Sequence, residues 1–572
     1  MPFKAGSMDT NIFSLKKLLI VSAAAISYLM IVILPFPSTM ITRVYFIEQD
    51  IAVIAGAIVL FLAIALRPPS IKLKFVVPRG RNVWLFASAL SLLLWAGTYG
   101  IMANYAITRD EHMVLFDGQI FSRLQLSQPL TPEWRSYAVG LVPSFLLDVP
   151  SHQILVSAYG PGNAMMRAAF GVLLDPSLMN PALAGIGLIT LFYIAKKLFP
   201  QSPGAVWVCL LGYVLSSQIL VNAMTTYAMT GHLALNLVWL ALFLRNDRWG
   251  YFGTMVIGAW AIGLHQIVFH PLFAGPFILT LIPQKRWALF TTYAFVYAAS
   301  LLFWIGYPTL VMDMAGISAP QGSGAGSTGF IKERIVPLLI ERDPSTLALT
   351  HYNLLRYIAW SPLFMVPLLA LAWPAIRHRE RLALPLFCGA FLTLLAMIFL
   401  LPYQGHGWGY RYLHPVAGNL ILLAGYGFTR WSAQDEVGAR SGTAIMAGAT
   451  ATFALPFLLF TAYQMVQPQA DLADLISRQQ TDFVLLDTQS PSNAVDQTRN
   501  WADLSNRPLL FSSKDLTDAQ IRELCARGSL TLIRRADFHR VNFASELPKQ
   551  SLVFEQRVEA LKDAGCVKPT RE

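Results

Sequence analysis

Charge is what this sequence has least of. Of its 572 residues only 13% are Asp, Glu, Lys or Arg, where a soluble globular chain carries about 25%. That deficit excludes an ordinary soluble domain. Cysteine is scarce too: the four present are Cys209, Cys388, Cys525 and Cys566, too few and too scattered for a metal framework. Cys209 and Cys388 lie inside apolar runs. Cys525 and Cys566 fall in a polar tail, where a disulfide between them would suit a compartment outside the cytosol. The first apolar run, Leu18 to Pro35, has no small-residue cleavage site after it, so it is expected to be a retained helix rather than a signal peptide.

Apolar residues make up 55% of the chain. They collect in runs of roughly 17 to 25 residues with almost no charge, the length a helix needs to cross about 30 Å of hydrocarbon. About thirteen spans are expected, at 18–36, 49–66, 83–103, 181–199, 204–222, 228–244, 250–267, 269–283, 287–310, 352–373, 382–401, 412–429 and 442–465. The net charge of +11 does not point to nucleic acid, because the basic residues sit in short clusters between these runs. Lys16-Lys17, the stretch Arg67 to Arg81, Lys196-Lys197, Lys285-Arg286 and Arg377/Arg379/Arg381 all fall on one side if the N-terminus is cytoplasmic, as the positive-inside rule requires. That thread predicts a multi-pass protein of a bacterial inner membrane. Four segments then lie outside: a loop near 104–180, a Gly/Ser-rich loop at 313–350, the short loop 402–411, and the tail from 468 onward.

Two stretches of the first external loop, 113–126 and 136–147, mix apolar and polar residues at helical spacing and are expected to lie in the interface plane. In the tail, DFVLLDT (482–488), RPLLFSS (507–513) and SLTLIRR (529–535) are strand-like. Thr517 and Gln520 open a helix with a capping box, and Gly528 ends it. The expected architecture is a polytopic all-α membrane protein with a small C-terminal α/β domain. Its parts are a helical hairpin and basic loop over 1–82, a membrane region over 83–466 and the soluble domain over 467–572.

The candidates for chemistry gather on the outer side. Asp110-Glu111, in TRDEHMVLFDGQ, directly follow a span. A carboxylate in a partly dehydrated pocket there can take a proton from an attacking hydroxyl; solvated interface acids are the plain alternative. YQGHGWGYRYLHP (403–415) brings His406, Tyr410 and Arg411 to the end of a span. Arg beside aromatic rings suits a lipid phosphate, and an aromatic belt with a snorkelling Arg is the alternative. HQIVFHP holds His265 and His270, whose spacing does not put both on one helix face; either is a phosphate ligand or a structural histidine. SAYGPG (157–162) sets Tyr159 before a bend and a helix start, which is an anion site or a simple turn. His232 and Arg356 are weaker candidates. Ionisable groups are nearly missing from the span centres, which favours an enzyme at the outer interface over an ion-coupled carrier.

Taken together, the acidic pair after a span, the Tyr-x-Pro-Gly bend of Tyr159 to Gly162, the Arg-Tyr-Leu-x-Pro string of Arg411 to Pro415 and the external tail resemble the GT-C superfamily of membrane glycosyltransferases. That group includes protein O-mannosyltransferases, the lipid A aminoarabinose transferase and mycobacterial arabinofuranosyltransferases. The resemblance spans roughly 83–465. It departs in one respect: the acids follow the third expected span rather than the first, which an added hairpin over 18–66 explains while preserving sidedness. The resemblance implies an inverting transfer from a polyprenyl-phosphate sugar donor to a hydroxyl acceptor of the cell envelope (a glycan, glycolipid or protein) on the periplasmic face. Asp110 would be the general base, Glu111 would assist or shape the pocket, and Arg411 with His406, His265 or His270 would offset charge on the departing phosphate. No cofactor is expected, since no ligand set beyond the acids supports a divalent metal. Two other classes remain open: a flippase or transporter of a lipid-linked saccharide, and a phospho-group transferase acting on envelope lipids.

Overall fold

The computed structural model describes residues 15–33, 41–141, 145–317, 346–490, 492–543, 551–563, 565 and 567–570. Cys566 and most of the loop at 313–350 lie outside these. The chain divides into two compact units. One comprises Met1–Val83, Leu188–Leu220 and Asp343–Leu458; the other comprises Trp84–Gly187, Val221–Arg342 and Leu459–Glu572.

Each expected span has a helical counterpart, but not each is a crossing. Among the described residues six helices are long and apolar enough to cross a membrane, or up to eight if each bent pair is one span. Several of the expected spans are bent or short helices. Pro203–Val214 and Ser217–Ala223 meet at 48°, and Thr346–Trp360 and Met365–Arg377 at 105°. Met229–Phe243, Arg248–Ile262 and Phe269–Leu279 are shorter again, at 15, 15 and 11 residues. A helix rises 1.5 Å per residue, so none of these three reaches the length of a full crossing. The chain they leave unwound, at 224–228 and 263–268, goes into the site described below.

In the first unit the helix expected to begin at 49 begins at Ile41, so Asp50 falls inside it. Asp50 and Arg356 are both fully buried and pair at 3.5 Å. Trp360 Nε1 donates to Asp50 Oδ1 at 2.8 Å, and the Arg356 guanidinium lies 4.3 Å from the Tyr45 ring and donates to the Gly407 carbonyl at 2.9 Å. Both residues lie near the ends of expected spans, 49–66 and 352–373. Two opposite charges can stay in a low-dielectric interior only when paired and hydrogen-bonded as these are.

In the second unit β1 (Gln128–Pro129) pairs antiparallel with β2 (Ile154–Leu155), and the tail forms a four-stranded parallel sheet in the order β4-β3-β5-β6, with β3 at Phe483–Leu486, β4 at Leu509–Ser512, β5 at Leu530–Ile533 and β6 at Val567–Lys568. The three longer strands are buried along their length, as strands covered on both faces must be. Asp518–Arg527 is the helix capped by Thr517 and Gln520. Cys525 is in a disulfide, whereas Cys209 and Cys388 are free.

One face of this sheet is covered by the loop once expected to lie on the membrane surface. Met113, Phe116 and Ile120 of the helix Arg109–Ser122 share one hydrophobic cluster with Leu485, Phe511, Leu516 and Leu532. The apolar stripe read as interfacial therefore faces protein. The second such stretch, 136–147, forms only the single turn Ala138–Leu141 among its described residues. It packs beside β4, with Trp134 and Tyr137 against Phe511 at 6.0 and 5.9 Å between ring centres.

Because sheet and loop share a core, Phe511→Ala should cost about 3–5 kcal/mol. The helix Arg109–Ser122 rests on the same cluster, so its hold on the tail should loosen too. Denaturant unfolding checks this; an unchanged midpoint would contradict the shared core.

Candidate active site

The site is built on the first turn of the helix Arg109–Ser122. Thr108 caps it and Glu111 completes a capping box, which satisfies amide groups that the helix start leaves open. Glu111 is buried and fully engaged: Oε2 accepts from the amides of Ile107 and Thr108 at 3.2 and 3.4 Å, and Oε1 from the amide of Thr226 at 3.4 Å. Thr226 Oγ1 returns a bond to the Glu111 carbonyl at 3.1 Å. Glu111 is thus the clamp between this helix and the unwound stretch 224–228. Asn163 and Asn180 hold the same stretch by donating to the carbonyls of Thr226, and of Thr225 and Tyr227, at 3.1, 2.7 and 2.9 Å.

Asp110, one position earlier, is half-buried and lines a narrow recess with a cavity volume of about 10 Å³. Asp117, Tyr159, Asn163, Tyr227 and His265 also line it. Tyr159 Oη donates to Asp110 Oδ1 at 2.6 Å, and the His265 ring lies 4.5 Å from the Tyr159 ring. This contact depends on glycine. The bend at 160–162 lies directly against a second turn, with the amides of Gly162 and Asn163 bonded to the carbonyls of Gly263 and Leu264 at 2.8 and 3.2 Å. A Cβ on Gly162 would stand 2.8 Å from the Gly263 oxygen and 3.1 Å from the Leu264 Cα, with only backbone to yield.

Asp117 had no place in the sequence-based set. Its signal was spacing: seven residues after Asp110 on a helix returns to the same face, about 10 Å further along. Burial pushes its carboxyl up to about 7, opposed in part by a hydrogen bond from Ser157. Burial likewise pushes Glu111 up to about 7, against the amides of Thr226 and Thr108. His112 is held neutral, its imidazole pushed down to about 3 by burial and then by the Arg499 charge.

The remaining sequence candidates fall elsewhere. His270 is fully buried, its Nδ1 2.7 Å from Asn236 Oδ1 and its Nε2 2.7 Å from Tyr297 Oη, among Trp239 and Phe273. Both ring nitrogens are engaged within the protein. His232 is also fully buried, against Phe269.

His406, Tyr410 and Arg411 belong to the first unit. His406 Nδ1 is 2.6 Å from Tyr45 Oη. Tyr410 is buried, its amide bonded to Gln218 Oε1 at 2.8 Å. Gly409 beside it has a φ of +67°, and a Cβ there would meet that same oxygen at 2.4 Å. The Arg411 guanidinium lies 5.0 Å from the Tyr412 ring. Among the described residues no three of His, Cys, Asp or Glu converge as a metal ion needs.

The raised carboxyls of Glu111 and Asp117 set a pH dependence. Ordinary values are 4.5 and 3.8, and folded values are about 7 for both. The folded state therefore binds protons that the unfolded chain has released. The stability these groups contribute is full below the ordinary values and is lost as pH rises through about 7. The thermal midpoint should fall between about pH 5 and pH 8, and the double variant Glu111→Gln/Asp117→Asn should flatten that fall. An unchanged slope in the double variant would contradict the assignment.

No protein-family model matches the chain, and no curated protein does. Among solved structures, the chain is similar to the crystal structure of ArnT from Cupriavidus metallidurans bound to undecaprenyl phosphate, with 13% identity and a TM-score of 0.48. That alignment covers 76% of this chain and 86% of that one. The apo state of ArnT from Cupriavidus metallidurans is similar over the same shares, with 14% identity and a TM-score of 0.43.

Proposed function

We propose that this protein is an inverting membrane glycosyltransferase. It moves a sugar from a polyprenyl-phosphate donor to a hydroxyl acceptor of the cell envelope, on the periplasmic face of the inner membrane. The observation that carries this reading is Asp110, half-buried in a recess and held through one carboxylate oxygen by Tyr159 at 2.6 Å. A carboxylate oriented by a neighbour and partly shielded from water is what a general base for a sugar hydroxyl requires.

In the proposed step the acceptor oxygen attacks the anomeric carbon from the face opposite the phosphate. Its proton passes to the Asp110 carboxylate. The bond from the anomeric carbon to the phosphate oxygen breaks, and its electron pair leaves with the polyprenyl phosphate. Glu111 does not take part in proton transfer; it fixes the helix start that aims Asp110. Asp117, with a carboxyl that keeps its proton to about pH 7, can donate to a sugar hydroxyl in the same recess. His265, ring to ring with Tyr159, can offset negative charge there. The role of Arg411, His406 and Tyr410 in holding the lipid phosphate is a separate proposal, supported by a guanidinium braced on an aromatic ring.

A labelled polyprenyl-phosphate sugar tests the reading directly. Asp110→Asn should reduce release of polyprenyl phosphate by about 10²–10⁴-fold, the usual share of a general base. Near-normal turnover would remove Asp110 from that role. Tyr159→Phe should cost about tenfold, as one lost hydrogen bond to a charged group does. Arg411→Ala should raise the KM for the lipid donor; unchanged kinetics would count against its contact with phosphate.

A further inference from the structure

A second groove in the same unit is not used by the step above. It runs between residues 138–139 and 145–155 on one side and the tail at 495–515 on the other, and holds about 250 Å³. Its walls are of two kinds. Val139 and Phe145 present apolar surface and are 60% and 41% exposed. Asp148, Asp515, Ser512 and Thr498 also line it, the last two buried.

Three observations mark it as built for a ligand. Thr498 is 1% exposed, yet its Oγ1 has no hydrogen-bond partner; a buried hydroxyl left that way costs stability unless something else satisfies it. Ser512 ends β4, and Ser512 Oγ donates to Asp515 Oδ2 at 2.6 Å just beyond it. Open parallel sheets hold ligands beyond the carboxyl ends of their strands. Phe145 has a φ of +85°, a strained state for an aromatic residue that persists where the surroundings fix it.

Phe145 also joins the groove to the catalytic recess. Its ring lies 5.3 Å from that of Tyr159, which bonds Asp110. We propose that this groove binds a neutral glycan chain, the acceptor whose terminal hydroxyl is presented to Asp110; this rests on the transferase reading of that residue. Sugar C–H faces lie on apolar side chains while their hydroxyls donate to carboxylates, and the unpartnered Thr498 hydroxyl is a further partner. An anionic glycan fits poorly, because Asp148 and Asp515 would repel it.

Isothermal titration of the purified full chain with linear hexasaccharides of glucose, mannose, galactose and arabinose tests this. At least one should bind the unaltered protein and Asp110→Asn alike. Asp148→Asn should weaken that binding about tenfold, and Val139→Trp, a change at an exposed position that fills the groove, should abolish it without lowering the thermal midpoint. Equal binding by all variants, or no binding of any hexasaccharide, overturns the proposal. Release of polyprenyl phosphate from a labelled donor separates the two ideas. Release without hexasaccharide binding removes the groove and leaves the transferase reading, whereas groove-dependent binding without release does the reverse.

Discussion

The site depends on two turns whose backbones touch. Residues 160–162 lie against Gly263 to His265, joined by amide–carbonyl bonds, and a side chain on Gly160 or Gly162 would meet the Gly263 oxygen at 2.7 or 2.8 Å. That approach brings Tyr159 to Asp110 on one side and to His265 on the other. It is possible only because the helix Arg248–Ile262 stops early and leaves its following residues unwound. Glu111 performs the matching task at 224–228, so each broken helix near the recess is tied to a neighbour by hydrogen bonds rather than left open. Buried irregular backbone is tolerated where protein satisfies its polar groups.

Much of this was legible in the sequence, and the reasons for success and failure are physical. The helical positions followed from apolar runs, and the strands and the capping box of Thr517 and Gln520 followed from local pattern. Asp110 and Tyr159, singled out separately, are in direct contact. What the runs could not show was where a helix would break or bend, because hydropathy is the same on both sides of a break. The stripe on Arg109–Ser122 was misassigned for a related reason: an amphipathic face is equally suited to lipid headgroups and to a sheet, and only the fold supplies the sheet. Asp117 was missed although its seven-residue spacing from Asp110 was visible. His270 and the buried Asp50–Arg356 pair were beyond reach, since their partners come from distant parts of the chain.

The two carboxyls of the recess differ in a way that suits two tasks. Asp110 is half-buried and held by a phenol; Asp117 is buried and keeps its proton to about pH 7. The cost of burying Asp117 and Glu111 is borne by the packing around them, above all the cluster shared by the helix Arg109–Ser122 and the parallel sheet. The tail is thus part of what shapes the site.

The central claim is that Asp110 faces the reacting sugar. A cryo-EM structure of the full chain with a non-hydrolysable polyprenyl-phosphate sugar analogue measures this most directly. The account predicts the sugar in the recess beside Asp110, leaving room for an acceptor oxygen within about 3 Å of its carboxylate. A sugar bound elsewhere, with the recess of Asp110, Asp117 and Tyr159 unfilled, would contradict it.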